Sequence, residues 1–210
     1  MRGLTWLIAV AATAGLCWLF PLFHIVPLEQ VTRQRTTARF DPGQFAERFW
    51  KEQLLESLDK AVDASALLPA INGDPVEAKK RFSRSVGVTE AYTYFISGKG
   101  RVLGVSDDEI SLSVTPAATQ PEIVLQVGLI FGNAIRDGTG LLNVSDYPNS
   151  RDFNGISDAL NQIIEKRVLP TLREQAKVGT MIRFFGCAEV NDESTDLTPL
   201  RVVPIQTHVE

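Results

Sequence analysis

The stretch YTYFISGKGRVLGVS, residues 92–106, decides how the rest of the chain is read. Tyr92 to Ser97 and Arg101 to Ser106 have strand-like composition, and only Gly98-Lys99-Gly100 separates them. Glycine inside a strand pattern marks a bulge or a close approach to the backbone, so the stretch predicts one long, bent strand. Asp107-Asp108-Glu109 follows as a turn, after which Ile110, Leu112 and Val114 alternate with polar residues as a half-buried strand. Beyond a loop from Pro116 to Pro121, Ile123, Leu125 and Val127 continue the alternation. Ile156, Leu160, Ile163, Ile164, Val168 and Leu172 recur at helical spacing and predict a helix over 154–177, which Pro170 should kink or split. Met181 to Val190 and Leu200 to Val209 supply two last strands. Three strands, a helix and two strands is the order of a five-stranded OB-like barrel with its helix between strands 3 and 4. The fold class expected is therefore α+β, with the barrel domain over residues 91–210.

Towards the N-terminus the pattern becomes helical. Asp41-Pro42-Gly43-Gln44 opens a helix, with Asp41 as cap and Pro42 in the first turn. Ala46, Trp50, Leu54, Leu58 and Ala61 form an apolar stripe that must pack against something. Asp74-Pro75-Val76-Glu77 repeats the start signal before a short basic helix carrying Lys79, Lys80, Arg81 and Arg84. Residues 29–90 read as a linker and helical stalk.

Residues 1–28 read as a membrane anchor. No Asp, Glu, Lys or Arg lies between Arg2 and Glu29. The 23 residues from Leu4 to Val26, at about 1.5 Å each in a helix, reach roughly 35 Å, enough to cross a hydrocarbon core of about 30 Å. A cleaved signal peptide has a shorter apolar core of about 7–15 residues. The sequence thus predicts an uncleaved, single-pass signal anchor in the bacterial inner membrane, with the soluble part in the periplasm. Lipidation at Cys17 is the competing outcome, disfavoured by the bulky Leu16 immediately before it. Pro21 and Pro27 should kink or end this helix, and His24 sits near its outer end as an interfacial residue.

A formal charge of -4 over 210 residues argues against a phosphate-binding face, so no nucleic-acid partner is expected. A nucleic-acid-binding OB domain remains the third-ranked reading. Cys17 and Cys187 should not pair, since the membrane separates them, and Cys187 reads as a small buried hydrophobe. No nucleophile motif, zinc signature, phosphate loop or dinucleotide fingerprint is present, and the histidines are His24 and His208. No catalysis, cofactor or metal is expected. Asn133, Arg136, Asp137, Asp146, Tyr147, Asn149, Asp152 and Asn154 gather polar groups in a long connection, where OB folds place ligand-contacting loops. Of these, Asn133, Arg136, Asp137, Asp152 and Asn154 are the candidate ligand- or partner-binding residues. Arg136 can fork onto Asp152 or Asp146, and Asp152 or Asn154 can cap the helix. Arg136→Ala should then abolish any carbohydrate binding.

The run Val127-Gly128-Leu129-Ile130-Phe131-Gly132-Asn133-Ala134-Ile135-Arg136-Asp137 is followed by Asp152-Phe153-Asn154 and by the segment from Val178 to Gly186. Together with Phe23-His24-Ile25-Val26-Pro27-Leu28, these resemble a bacterial family of predicted periplasmic lipoproteins of unknown function. The resemblance implies an OB-like fold and an association with sugar uptake transporters of the ATP-binding-cassette type, beside which such proteins are often encoded. The leading expectation is a membrane-anchored periplasmic accessory of a sugar ABC transporter. A carbohydrate-binding module is the alternative.

Overall fold

The computed structural model describes Trp6 and residues 40–85, 90–147 and 149–210. The expected anchor, with Cys17, Pro21, His24 and Pro27, and the linker before Phe40 lie outside these residues, Trp6 excepted. Among the described residues no helix is long and apolar enough to cross a membrane. Asp41–Glu210 forms one compact unit.

Five strands carry the architecture: β3 (Tyr92–Val105), β4 (Glu109–Ser113), β5 (Ile123–Gln126), β6 (Met181–Val190) and β7 (Leu200–Val209). They pair in a closed circuit, β3 to β4 to β5 to β7 to β6 and back to β3. All the pairings are antiparallel except β5 with β7. β3 belongs to two pairings at once: Tyr92 to Arg101 run along β6, and Arg101 to Val105 run along β4 with a register shift after Val102. The two glycines allow this crossing. A Cβ at Gly98 would meet the Phe184 ring at 2.9 Å and Ala64 at 3.0 Å, and one at Gly100 would meet Leu112 at 3.1 Å. The long bent strand expected from the sequence is present for that reason.

The core of the circuit is aliphatic: Val102, Ile110, Leu112, Ile123, Leu125, Ile182, Leu200 and Val202 are fully buried. Burying a side chain of this size stabilises by about 1.5–3 kcal/mol, so the strands hold together chiefly through this interior.

The helical region does not stand off as a stalk. Helix α1 (Pro42–Phe49) is capped by Asp41, whose Oδ1 accepts from Gly43 N at 2.9 Å and Gln44 N at 3.1 Å. The chain then winds through a π turn (Trp50–Leu54) and a 3-10 turn (Leu55–Lys60). This change of winding keeps Phe49, Trp50 and Leu54 buried while Leu58 and Ala61 are only half-buried, so the regular stripe expected there is interrupted. Asp63 closes a two-residue strand β1 (Val62–Asp63), parallel to β3 at Ile96 and Ser97, and caps α2 (Ala64–Gly73), a helix the sequence pattern did not announce. Asp74 caps α3 (Pro75–Phe82), as its start signal predicts. Arg84 falls outside that helix, in the short strand β2 (Ser83–Arg84) against Tyr94 and Thr93.

Between β5 and β6 lie α4 (Ala134–Gly138), a 3-10 turn (Val144–Asp146), α5 (Ser150–Arg167) and α6 (Leu169–Gln175). Pro170 splits the long helix as expected. The helix starts earlier than position 154, because Asn149 caps it: Asn149 Oδ1 accepts from Asp152 N at 2.9 Å and its amide donates to Asp152 Oδ2 at 2.8 Å. Phe153, Ile156, Leu160 and Ile164 form the buried stripe of α5. Its neighbours include α1 and α4, and Arg167 pairs with Glu47 at 2.5 Å.

Candidate functional site

The segment from Val127 to Asn133 runs along α5 and is tied to it by its own backbone. Ile130 N donates to Glu165 Oε1 at 2.9 Å, Asn161 Nδ2 donates to Gly132 O at 3.1 Å, and Ser157 Oγ donates to Asn133 Oδ1 at 2.9 Å. Arg173 of α6 donates to Val127 O. These bonds use buried polar residues of α5, Ser157 and Asn161, so the loop is held in one conformation.

Arg136 sits at the centre. It is 5% exposed, and its fork closes on the adjacent carboxylate: Nε to Asp137 Oδ1 at 2.6 Å and Nη2 to Asp137 Oδ2 at 2.9 Å. Nη1 donates to Asn154 Oδ1 at 3.0 Å, and the guanidinium carbon lies 3.9 Å from the centre of the Phe153 ring. Two expectations are corrected here. Arg136 pairs with Asp137 and not with Asp152 or Asp146: the adjacent carboxylate takes both Nε and Nη2, while Asp152 is held by Asn149. The helix cap is Asn149, not Asp152 or Asn154. With its donors so committed, Arg136 fixes the loop onto α5 and is not available as a free recognition group.

Asn133, Arg136, Asp137 and Asn154 line one cleft of about 380 Å³. Asp152 does not reach it and stays bonded to Asn149. Arg84, Glu189 and Asn191 complete the rim. The sequence reading missed these three. In sequence Arg84 reads as part of the short basic helix, and only strand register brings β2 and the end of β6 together beside β3.

Gly138 of α4 lies against β6, where a Cβ would come 2.6 Å from Cys187 Sγ. Burial, and after it the charge of Asp137, push the Cys187 thiol far above its ordinary value. It is therefore a packed hydrophobe and no thiolate nucleophile, as expected from sequence. Among the described residues no group of His, Cys, Asp and Glu is arranged to hold a metal ion. Asp107 and Asp108 form the turn, while Glu109 begins β4 and pairs with Arg201.

Comparison with known families bears on this arrangement. The profile of the family described as predicted periplasmic lipoprotein (DUF2291) matches residues 7–208. The chain belongs to this family. Membership gives a periplasmic, membrane-anchored location in its general form, and it covers the loop, the cleft and the strands alike. The DUF2291 chain is also similar to an OB-fold protein from Thermotoga maritima MSB8, with 26% identity and a TM-score of 0.73 over 82% of this chain and all of that one. The similarity supports an OB-like α+β fold for this chain. Comparison with curated proteins gives no match.

Proposed function

We propose that this DUF2291 protein is a membrane-anchored periplasmic accessory of a sugar uptake transporter of the ATP-binding-cassette type, working by binding and not by turnover. The observation that carries the interaction role is the loop between β5 and α4. Leu129 and Phe131 are 74% and 76% exposed on either side of buried Ile130. Large apolar side chains held out by a braced loop give up no solvent contact until a partner covers them, and such residues favour protein contacts. The sugar-uptake assignment rests on the family resemblance. The tether in this reading is the apolar segment from Leu4 to Val26, retained as a single inner-membrane helix with Leu16 preventing processing at Cys17.

The test is purification of the full-length protein from native membranes in mild detergent. Transporter subunits should accompany the wild type and be lost with Leu129→Ser/Phe131→Ser, a change expected to alter stability by no more than about 0.5 kcal/mol per site. Recovery without any transporter subunit, together with unimpaired sugar uptake in a deletion strain, refutes the role. Mass spectrometry should find the mature chain beginning before Cys17; a diacylglycerol-modified Cys17 at the N-terminus would replace the helix by a lipid.

A carbohydrate-binding module is the second reading, and the cleft beside α4 favours it. It holds polar groups from several elements around a volume within the range of about 300–1,000 Å³ usual for small-ligand sites.

A further inference from the structure

We propose that the cleft beside α4 binds an acidic sugar, with Arg84 taking the anionic substituent and Glu189 accepting from hydroxyls at the other end. The inference rests on the sugar-handling reading and names the ligand class of its cleft.

Strand register sets the geometry. Arg84 pairs with Thr93 across β2 and β3, and Thr93 pairs with Glu189 across β3 and β6. Paired residues lie on one face of a sheet, and neighbouring strands are about 4.8 Å apart, so Arg84 and Glu189 spring from positions about 10 Å apart with Thr93 between them. The segment carrying α4 runs over this face, bracketed by Gly132 and Gly140, both in the left-handed region at φ 87° and 66°. A Cβ at Gly140 would come 2.6 Å from Arg84 Nη1, and one at Gly132 would come 3.2 Å from Glu189 Oε2. Each charged side chain therefore lies against the backbone of a glycine that only glycine tolerates well.

Among the described residues Arg84 and Glu189 make no ion pair and no side-chain hydrogen bond, whereas Arg136 and Asp137 in the same cleft neutralise one another. Asn133 and Asn154 use their carboxamide oxygens on Ser157 and Arg136, which leaves their amide donors without a partner among the described residues. A planar guanidinium and a carboxylate that spring from strand positions about 10 Å apart, with neutral amides in the same cleft, suit one negative charge plus several hydroxyls. A neutral sugar leaves Arg84 without an acceptor. An α-amino acid carries its two charges on groups bonded to one carbon, too close together to serve Arg84 beside Gly140 and Glu189 beside Gly132, and a second negative charge would face Glu189.

The test is calorimetry on the full-length protein in nanodiscs of neutral lipid. The probes are glucuronate, galacturonate and glucose 6-phosphate, with glucose, galactose and glutamate as comparisons. At least one acidic sugar should bind tenfold or more tightly than its neutral counterpart, and the uronate and phosphate arms tell which anion is preferred. Arg84→Gln should erase that preference, Arg84→Lys should retain part of it, and Glu189→Gln should weaken acidic and neutral sugars together. The thermal midpoint of each variant reports that it is folded. No acidic-sugar binding, equal binding of neutral sugars, tighter binding of glutamate, or an unchanged preference in a folded Arg84→Gln variant overturns the inference. Transporter subunits still co-purifying in that case would show that the accessory role stands without it.

Discussion

Replacing Arg136 by methionine tests the central structural claim about the loop. The guanidinium is 6% exposed as a side chain and Asp137 is 16% exposed, so the change strands a largely buried carboxylate. Breaking a buried pair by removing one partner costs about 3–5 kcal/mol; the partial exposure of Asp137 puts the expected loss near the lower end, about 3 kcal/mol. For a unit of this length each kcal/mol lowers the midpoint by about 2–4 °C, which gives a fall of about 6–12 °C. Adding Asp137→Asn removes the stranded charge and should return about 1–2 kcal/mol, a coupling that urea unfolding of the single and double variants measures directly. Arg136→Lys should lie between, since an ammonium cannot form the planar fork. A loss below about 0.5 kcal/mol, which is the scale of ordinary surface changes, would refute the reasoning. It would also return Arg136 to the role read from sequence, in which its removal abolishes any carbohydrate binding.

Three further outcomes follow from other contacts. Gly138→Ala should cost about 1–3 kcal/mol by overpacking against Cys187, and Cys187→Ala should recover part of it in a double-mutant cycle of unfolding free energies. Glu122 is opposed by burial, but donors from Thr115 N at 2.7 Å, Thr115 Oγ1 at 2.7 Å and Val114 N at 2.9 Å outweigh it and hold the carboxyl below its ordinary 4.5. The folded value is the lower one, so its stabilisation is complete above pH 4.5 and is lost as pH falls through the folded value. Unfolding curves of wild type and Glu122→Gln should therefore converge in acid and separate towards neutrality. In a Cys17→Ser background, Cys187 should fail to react with a thiol reagent until denaturant unfolds the chain, which a colorimetric time course reads.

The strands were legible because their information is local. Alternating residues from Ile110 to Val114 and the double glycine after Ser97 fix faces and bends without reference to the rest of the chain. Pro170 announced its break for the same reason. Three things escaped the periodic pattern, the first because it depends on strand pairing and the other two because each local choice had rivals. Arg84 looks like one more basic residue after Lys79, Lys80 and Arg81, and only pairing with Thr93 turns it into a strand residue at the cleft. Ser150 to Phe153 reads as loop until Asn149 is recognised as a cap whose aspartate partner follows three residues on, a pattern shared with many turns. The choice of Asp137 for Arg136 follows only once Asp152 is known to be held by Asn149, and α4 is too short to show any hydrophobic period. Asn133, Arg136, Asp137 and Asn154 were found together because polar residues in one long connection converge when both of its ends pack on one helix.

The circuit from β3 round to β6 has a bearing on how anything can attach to this protein. Each of the five strands has two hydrogen-bonding neighbours, though β5 meets β7 only at Leu200–Val202 and β6 meets it at Val203–Val209, and part of the first half of β3, which β4 does not reach, is met by β1 and β2. An extended peptide joining the molecule as an extra strand finds backbone groups already taken wherever two neighbours flank a strand, as along β4 and β5. Where the pairing is complete, contacts fall to side chains on the connecting segments, which can be altered by substitution while the scaffold beneath stays the same.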